Sequence, residues 1–77
     1  MKRINKEKTI KKIKELSELN EISPAQIARE FNIAHQCVYE WFRGKRIPSL
    51  NRLIGISDMF GVTLDDLVVI EEVIENE

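Results

Sequence analysis

A cluster of polar side chains between residues 35 and 46 is the part of the sequence best suited to bind another molecule. Its first members recur at the spacing of one helix face and carry hydrogen-bonding groups: His35, Gln36, Tyr39, Glu40 and Arg43. Lys45 and Arg46 follow and add two positive charges. These residue types supply directed hydrogen bonds and ionic contacts, which is the chemistry of molecular recognition.

The composition argues against a catalytic or metal-dependent role. The 77 residues include one Cys, Cys37, and one His, His35, which cannot complete a closed zinc site or a disulfide within the chain. There is no glycine-rich phosphate loop and no carboxylate pair with an evident pocket. We predict no enzyme activity, no metal and no cofactor, and we expect Cys37 to pack between helices. Without a signal core or a membrane-spanning run, a cytoplasmic protein with no membrane association is expected.

The net charge of -1 hides a strong segregation of charge along the chain. Residues 1–52 hold all twelve Lys and Arg together with six acidic residues, whereas residues 53–77 hold seven acidic residues and no basic one. A basic half is typical of a surface for nucleic acid or membrane. It is equally consistent with a solvated basic helix followed by an acidic tail, so charge alone leaves both interpretations open.

The segment ahead of the polar cluster carries a strong helix-start signal. Ser23 can cap a helix, Pro24 suits its first position, and Gln26 completes a capping box with Ser23. Asn32 follows, and Asn accepts left-handed backbone angles at little cost. The pattern therefore predicts a helix from residue 24, a tight turn at Asn32, and a further helix over residues 35–43.

Three more helices are predicted around this pair. Apolar residues at helical spacing indicate a first helix from about Lys6 to Asn20. Gly44 ends the third helix, Ser49 caps a fourth that runs to Gly61, and Thr63 caps a short fifth. Five short helices around one core is the predicted architecture.

The stretch from about Ile10 to Leu67 resembles the lambda-repressor-like family, the Cro/repressor or Xre type of helix-turn-helix. Residues 24–43 match its helix-turn-helix, residues 44–50 (GKRIPSL) its following link, and residues 58–67 (DMFGVTLDDL) its closing helix pair. The positions that match the family's helix-turn-helix core are Ile27, Ala28, Phe31, Asn32, Ile33, Val38 and Trp41.

The resemblance implies an all-α, compact five-helix DNA-binding domain over residues 10–67, with the helix-turn-helix at 24–43. In this geometry the third helix enters the major groove with its first residues at the base edges. The resemblance implies base contacts from His35, Gln36, Tyr39 and Glu40, and phosphate contacts from Arg43, Lys45 and Arg46. For Glu40 there is an alternative role, which is to orient a neighbouring Arg or His.

This sequence departs from the family pattern at four positions. Pro24 stands where many members have a Gln that contacts a phosphate, and Ala34 stands where Ser or Thr usually caps the recognition helix. Ser17 and Phe42 occupy the positions of a frequent Arg–Glu pair, and the joint loss leaves no orphaned buried charge.

The two ends of the chain are predicted to flank this domain. Residues 1–9 form a basic arm that leads into the first helix, and Lys2, Arg3 and Lys6 can add phosphate contacts. Residues 68–77 form an acidic and apolar tail, either helix or strand, which we expect to dimerise the protein. The predicted function is sequence-specific binding of a pseudo-palindromic DNA operator by a homodimer, as a transcriptional repressor of a prokaryote or mobile element. The alternative is an antitoxin or other protein-interaction module whose partner binds the tail.

Overall fold

The computed structural model describes residues 1–74 as five helices and one pair of strands. The elements are β1 (Lys2–Ile4), α1 (Lys6–Leu19), α2 (Pro24–Phe31), α3 (His35–Phe42), α4 (Leu50–Phe60), α5 (Leu64–Leu67) and β2 (Ile70–Glu72). The predicted five-helix, all-α fold is confirmed. The sequence leaves the predicted tail open to either helix or strand, and residues 70–72 form a strand. Residues 75–77 of that tail lie outside the described residues.

Side-chain caps define where the helices begin. The Ser23 side chain accepts from the Gln26 N–H and the Gln26 side chain accepts from the Ser23 N–H, so the capping box of α2 is present. Ser49 caps α4, and Thr63 forms a second capping box with Asp66 at α5. Because these caps satisfy amide groups that no helical carbonyl can reach, α2, α4 and α5 each start at a defined residue.

The core draws apolar side chains from all five helices, which explains why such short helices are stable together. Its buried members are Ile10, Ile13, Ile27, Ala28, Val38, Trp41, Leu53, Ile56, Phe60 and Leu67. Leu50 and Ile54 of α4 are apolar but do not enter this core, since they remain 62% and 49% exposed. No helix among residues 1–74 is long and apolar enough to cross a membrane.

The two strands form a terminal ribbon that joins the ends of the described chain. β1 and β2 are antiparallel, with Lys2 opposite Glu72 and Arg3 opposite Glu71. Arg3 Nε donates to Glu71 Oε2 at 2.8 Å, and the hydrogen bond from Arg3 is the main reason that the pKa of Glu71 lies below its usual value. Within the predicted basic arm, residues 1–9, Lys2–Ile4 is thus a strand paired with the acidic tail, whereas Lys6 begins α1. Opposite charges on paired strands favour this pairing.

Hydrogen bonds of the Val69 backbone fasten this ribbon to the start of α1. The Asn5 N–H donates to the Val69 carbonyl at 2.7 Å, and the Val69 N–H donates to Thr9 Oγ1 at 3.0 Å. Thr9 is fully buried, and the Val69 N–H satisfies its hydroxyl oxygen. The tail is thus part of the fold up to Glu72.

Gly55 sets how closely α4 approaches the end of α2. A Cβ atom at this position would lie 2.6 Å from Cε1 and 2.9 Å from Cζ of Phe31, well inside contact distance. The missing side chain lets the Phe31 ring lie against the α4 backbone, which fixes α2 relative to the rest of the core.

We expect Gly55→Ala to destabilise the protein by about 1 kcal/mol, because overpacking costs roughly 1–3 kcal/mol and exceeds the gain of about 1 kcal/mol in helix propensity. In a Phe31→Leu background the ring tip is gone, and the same substitution should be stabilising. Urea denaturation of the four proteins measures both effects. If Gly55→Ala stabilised the protein equally in both backgrounds, the contact with Phe31 would not be what makes a side chain at residue 55 unfavourable.

Candidate nucleic-acid interface

The packing of α2 on α3 determines which side chains face outward. Ile27 and Ala28 of α2 and Val38 and Trp41 of α3 are buried between and behind the helices. Ala28 is fully buried and ends at its Cβ, so the two backbones can approach closely at that point. Trp41 is therefore a core residue, as its apolar spacing predicts.

The turn between these helices uses the left-handed conformation that Asn tolerates. Asn32 has φ 53° and ψ 50°, its N–H donates to the Arg29 carbonyl at 3.1 Å, and the Ile33 N–H donates to the Ala28 carbonyl at 3.0 Å. Phe31 and Ile33 on either side are partly buried against the core. This arrangement ends α2 sharply and sets the direction in which α3 leaves.

The structure places the polar cluster of α3 on the side that faces away from the core. The exposed members are His35, Gln36, Tyr39, Arg43, Lys45 and Arg46, and Glu40 is partly buried. Gln36 and Glu40 are one helical turn apart, as are His35 and Tyr39. The outer face thus combines the hydrogen-bonding side chains of His35 and Gln36 at the start of α3 with three basic residues at and after its end.

Glu40 has a partner within this surface. Its Oε2 lies 3.3 Å from Nε of Arg46, and the Glu40 side chain is 25% exposed while that of Arg46 is 77% exposed. The Arg46 guanidinium is consequently held against α3 by a carboxylate that offsets part of its charge. This contact agrees with the alternative role predicted for Glu40, the orientation of a neighbouring Arg.

The end of α3 leads directly into the basic loop. Gly44 has φ 77°, its N–H donates to the Trp41 carbonyl at 2.9 Å, and the Lys45 N–H donates to the Glu40 carbonyl at 3.0 Å. Glycine is needed at this position because a side chain disfavours such a backbone angle. At the other end, Ala34 caps α3 without any side-chain hydrogen bond, as its residue type implies.

Few amide donors remain at the start of α2. The capping box uses the N–H groups of Ser23 and Gln26, and Pro24 has none. Within residues 1–74, only the Ala25 N–H of this first turn has no acceptor. A phosphate approaching this helix end would therefore find one amide rather than the several that a helix start usually offers.

Ser17 and Phe42 have separate roles where many family members have an ion pair. The Ser17 hydroxyl is buried and donates to the Ile22 carbonyl, which ties α1 to the link before α2. Phe42 is partly buried and lies between two surface grooves, both of which are also lined by Lys14 of α1. The sequence does not predict Lys14 as a site residue, because only the tertiary packing of α1 beside α3 brings it to these two grooves.

The expectation that Cys37 packs between helices is wrong. Its side chain is exposed, although Trp41 one turn later is buried. Val38, Trp41 and Phe42 fill the inner face of α3, and a residue one position before Val38 is turned about 100° away from that face. Cys37 therefore lies on the flank of α3 beside Gln36.

A comparison with protein families matches residues 6–67 to a family described as helix-turn-helix. The chain belongs to the lambda-repressor-like, Cro/repressor-type helix-turn-helix family. It is accordingly a DNA-binding regulator of transcription. The match includes α1 to α5 and omits both strands of the terminal ribbon. Neither the curated proteins nor the solved structures compared with the chain gave a match.

The ion pair between Glu40 and Arg46 offsets part of the positive charge on the outer face of α3. We expect Glu40→Gln to tighten binding to any DNA duplex about three- to fivefold at low salt, because it frees the charge of Arg46 from an exposed pair worth up to about 1 kcal/mol. Fluorescence anisotropy with labelled duplexes measures the change. The matched control is Glu30→Gln on α2, which makes the same change in net charge at a residue that forms no ion pair within residues 1–74, and it should have a smaller effect. Loss of preference at a single base pair in the Glu40 variant would instead mean that this carboxylate reads a base.

Proposed function

We propose that this regulator recognises a specific double-stranded DNA sequence by placing α3 in the major groove. The observation that supports this most is the exposed outer face of α3, which is held away from the core by the packing of Ala28 and the turn at Asn32. A helix with its polar face free over two turns fits the width of the major groove, about 12 Å. Its first residues then meet base edges, as is usual for this geometry.

His35 and Gln36 are the proposed base readers, because they are exposed on the first turn of α3. A Gln amide can donate to and accept from adenine at once, and such a bidentate contact contributes about 1–3 kcal/mol of discrimination. His35 can donate to guanine or to a phosphate. Tyr39, which is 44% exposed, is the proposed contact for a thymine methyl group or a phosphate one turn further on.

Arg43, Lys45 and Arg46 are the proposed phosphate contacts. All three are exposed where α3 ends, so they flank the bases that the start of the helix would read. Ionic contacts of this kind give affinity and register but carry no base information, and each one makes binding more sensitive to salt. Glu40 reduces the freedom of Arg46 through their ion pair and so positions it beside the helix.

Selection of binding sites from random duplex DNA, followed by titration of the selected site at several salt concentrations, tests this proposal. Enrichment of a defined half-site is the expected result. Binding that is equally strong on all sequences would contradict recognition of a specific operator and leave only general affinity for DNA.

The division between base readers and phosphate contacts predicts two different mutant phenotypes. Gln36→Ala should weaken binding to the selected site and relax preference at one base pair, because it removes a base contact. Lys45→Ala should weaken binding to all sequences alike and lower the slope of log K against log salt by about 1. Competition titrations with single-base variants of the site measure both. If the two variants behaved identically, the proposed division of roles would be wrong.

We further propose that the regulator acts as a homodimer that represses by occupying a pseudo-palindromic operator. A two-fold axis would allow two copies of α3 to enter successive major grooves about one helical turn apart. Repression by occupancy needs only the DNA-binding fold. The alternative is an antitoxin-like interaction module whose partner binds the tail, and that partner would meet Ile70–Glu72 in its pairing with Lys2–Ile4.

The tail remains the proposed dimer surface, with Ile70 the residue to test. Ile70 is 54% exposed on the terminal ribbon, and Ile54 on α4 is similarly exposed at 49%. If the tail dimerises the protein, Ile70→Thr should shift light scattering toward the monomer, and the control Ile54→Thr should not. Both variants avoid deletion of the tail, which would also remove the Val69 contacts with Asn5 and Thr9. The tail would be ruled out as the interface if Ile70→Thr left the oligomeric state unchanged. It would also be ruled out if Ile54→Thr alone dissociated the dimer.

A further inference from the structure

We propose that Lys14 of α1 is a DNA-phosphate contact that acts together with Arg43 beside the end of α3. The inference rests on the proposed function, since it adds a contact to the same DNA complex. It assigns to α1 a direct part in DNA binding in addition to its part in the core.

The first argument is the shortage of donors at the start of α2. Pro24 has neither an N–H nor a polar side chain, and the capping box uses the amides of Ser23 and Gln26. A DNA strand that passes this helix end therefore needs a positive charge from a neighbouring element. Lys14 and Pro24 line one groove together, which places the lysine beside this end of α2.

The second argument is that Lys14 also borders the groove at the end of α3. We call this the basic groove; it has a volume of about 220 Å³ and is lined by Glu7, Ile10, Lys11, Lys14, Phe42, Arg43 and Gly44. One water occupies roughly 30 Å³ in the liquid, so the groove has room for a phosphate group with part of its hydration shell. Lys14 is the basic residue common to both grooves.

Charge decides which of the two grooves would take the phosphate. Lys11, Lys14 and Arg43 line the basic groove against one acid, Glu7. The groove beside Pro24 contains Glu18 and Glu21 with Lys14 as its only basic lining residue. The three basic residues attract phosphate to the basic groove, so the ammonium group of Lys14 would bind it on the side of Arg43.

The third argument is that the charge of Lys14 is available. The residue is exposed and forms no ion pair within 4.0 Å among residues 1–74. The neighbouring α3 residue in both grooves is Phe42, which carries no charge. A DNA phosphate would therefore meet a lysine that has no competing carboxylate on α3.

The experiment compares Lys14→Gln with Lys12→Gln on the operator obtained by selection. Lys12 is on the opposite flank of α1 and lines neither groove, so its variant makes the same change in net charge at a different place. Lys14→Gln should weaken binding about tenfold at low salt, with no change in base preference and a salt slope smaller by about 1. Lys12→Gln should change both quantities much less, and Lys14→Arg should restore most of the affinity. Thermal unfolding of each variant checks that the fold is retained.

A second measurement identifies the contact directly. Single phosphates of the operator are replaced in turn by uncharged methylphosphonates, and the ratio of wild-type to Lys14→Gln affinity is measured on each duplex. At one phosphate that ratio should fall to about 1, because the lysine then has no charge to contact. Two results together would contradict this inference: equal losses of affinity in Lys14→Gln and Lys12→Gln, and a ratio of wild-type to Lys14→Gln affinity that no methylphosphonate lowers to about 1. If the wild-type protein still prefers its operator, the proposed function stands. If the wild-type protein shows no sequence preference, the proposed function itself fails.

Discussion

The close contact between α2 and α3 is the constraint on which the interface depends. It requires a very small side chain at Ala28, which is fully buried where the backbones approach, and a left-handed residue at Asn32. A larger residue at the first position would push α3 outward, and a β-branched residue at the second would resist the turn. Both conditions are met within five residues, and the burial of Val38 and Trp41 in the common core completes the placement of α3.

Much of this geometry was predictable because it depends on local signals. The capping box of Ser23 and Gln26 and the apolar spacing of α1 and α4 act over one or two helical turns. Other features depend on contacts between distant residues, which spacing does not reveal. The bond from Val69 to Thr9 joins residues 60 positions apart. Glu21 adopts φ 55° although Glu has no special tolerance for left-handed angles, and nothing in its residue type signals this.

The candidate site was predictable in position but less so in its pairing of charges. Helical spacing was sufficient to expect an outward face on α3, whereas the contact between Glu40 and Arg46 depends on the path of the loop after Gly44. The segregation of charge in the sequence has two structural outcomes. Lys2 and Arg3 face acidic residues across the terminal ribbon, and another part of the basic half, Lys11, Lys14 and Arg43, lines the groove between α1 and the end of α3. A chain of nearly zero net charge can thereby present a locally positive surface to DNA.

The terminal ribbon also has a consequence for the order in which the fold is completed during translation. Its first strand is synthesised before the five helices, yet its partner is Ile70–Glu72, so β1 must wait for the residues between the two strands to leave the ribosome. The five helices lie between the two strands and can assemble earlier, since their contacts span shorter stretches of sequence. The basic residues of β1 would remain uncovered on the nascent chain until that last pairing closes the molecule.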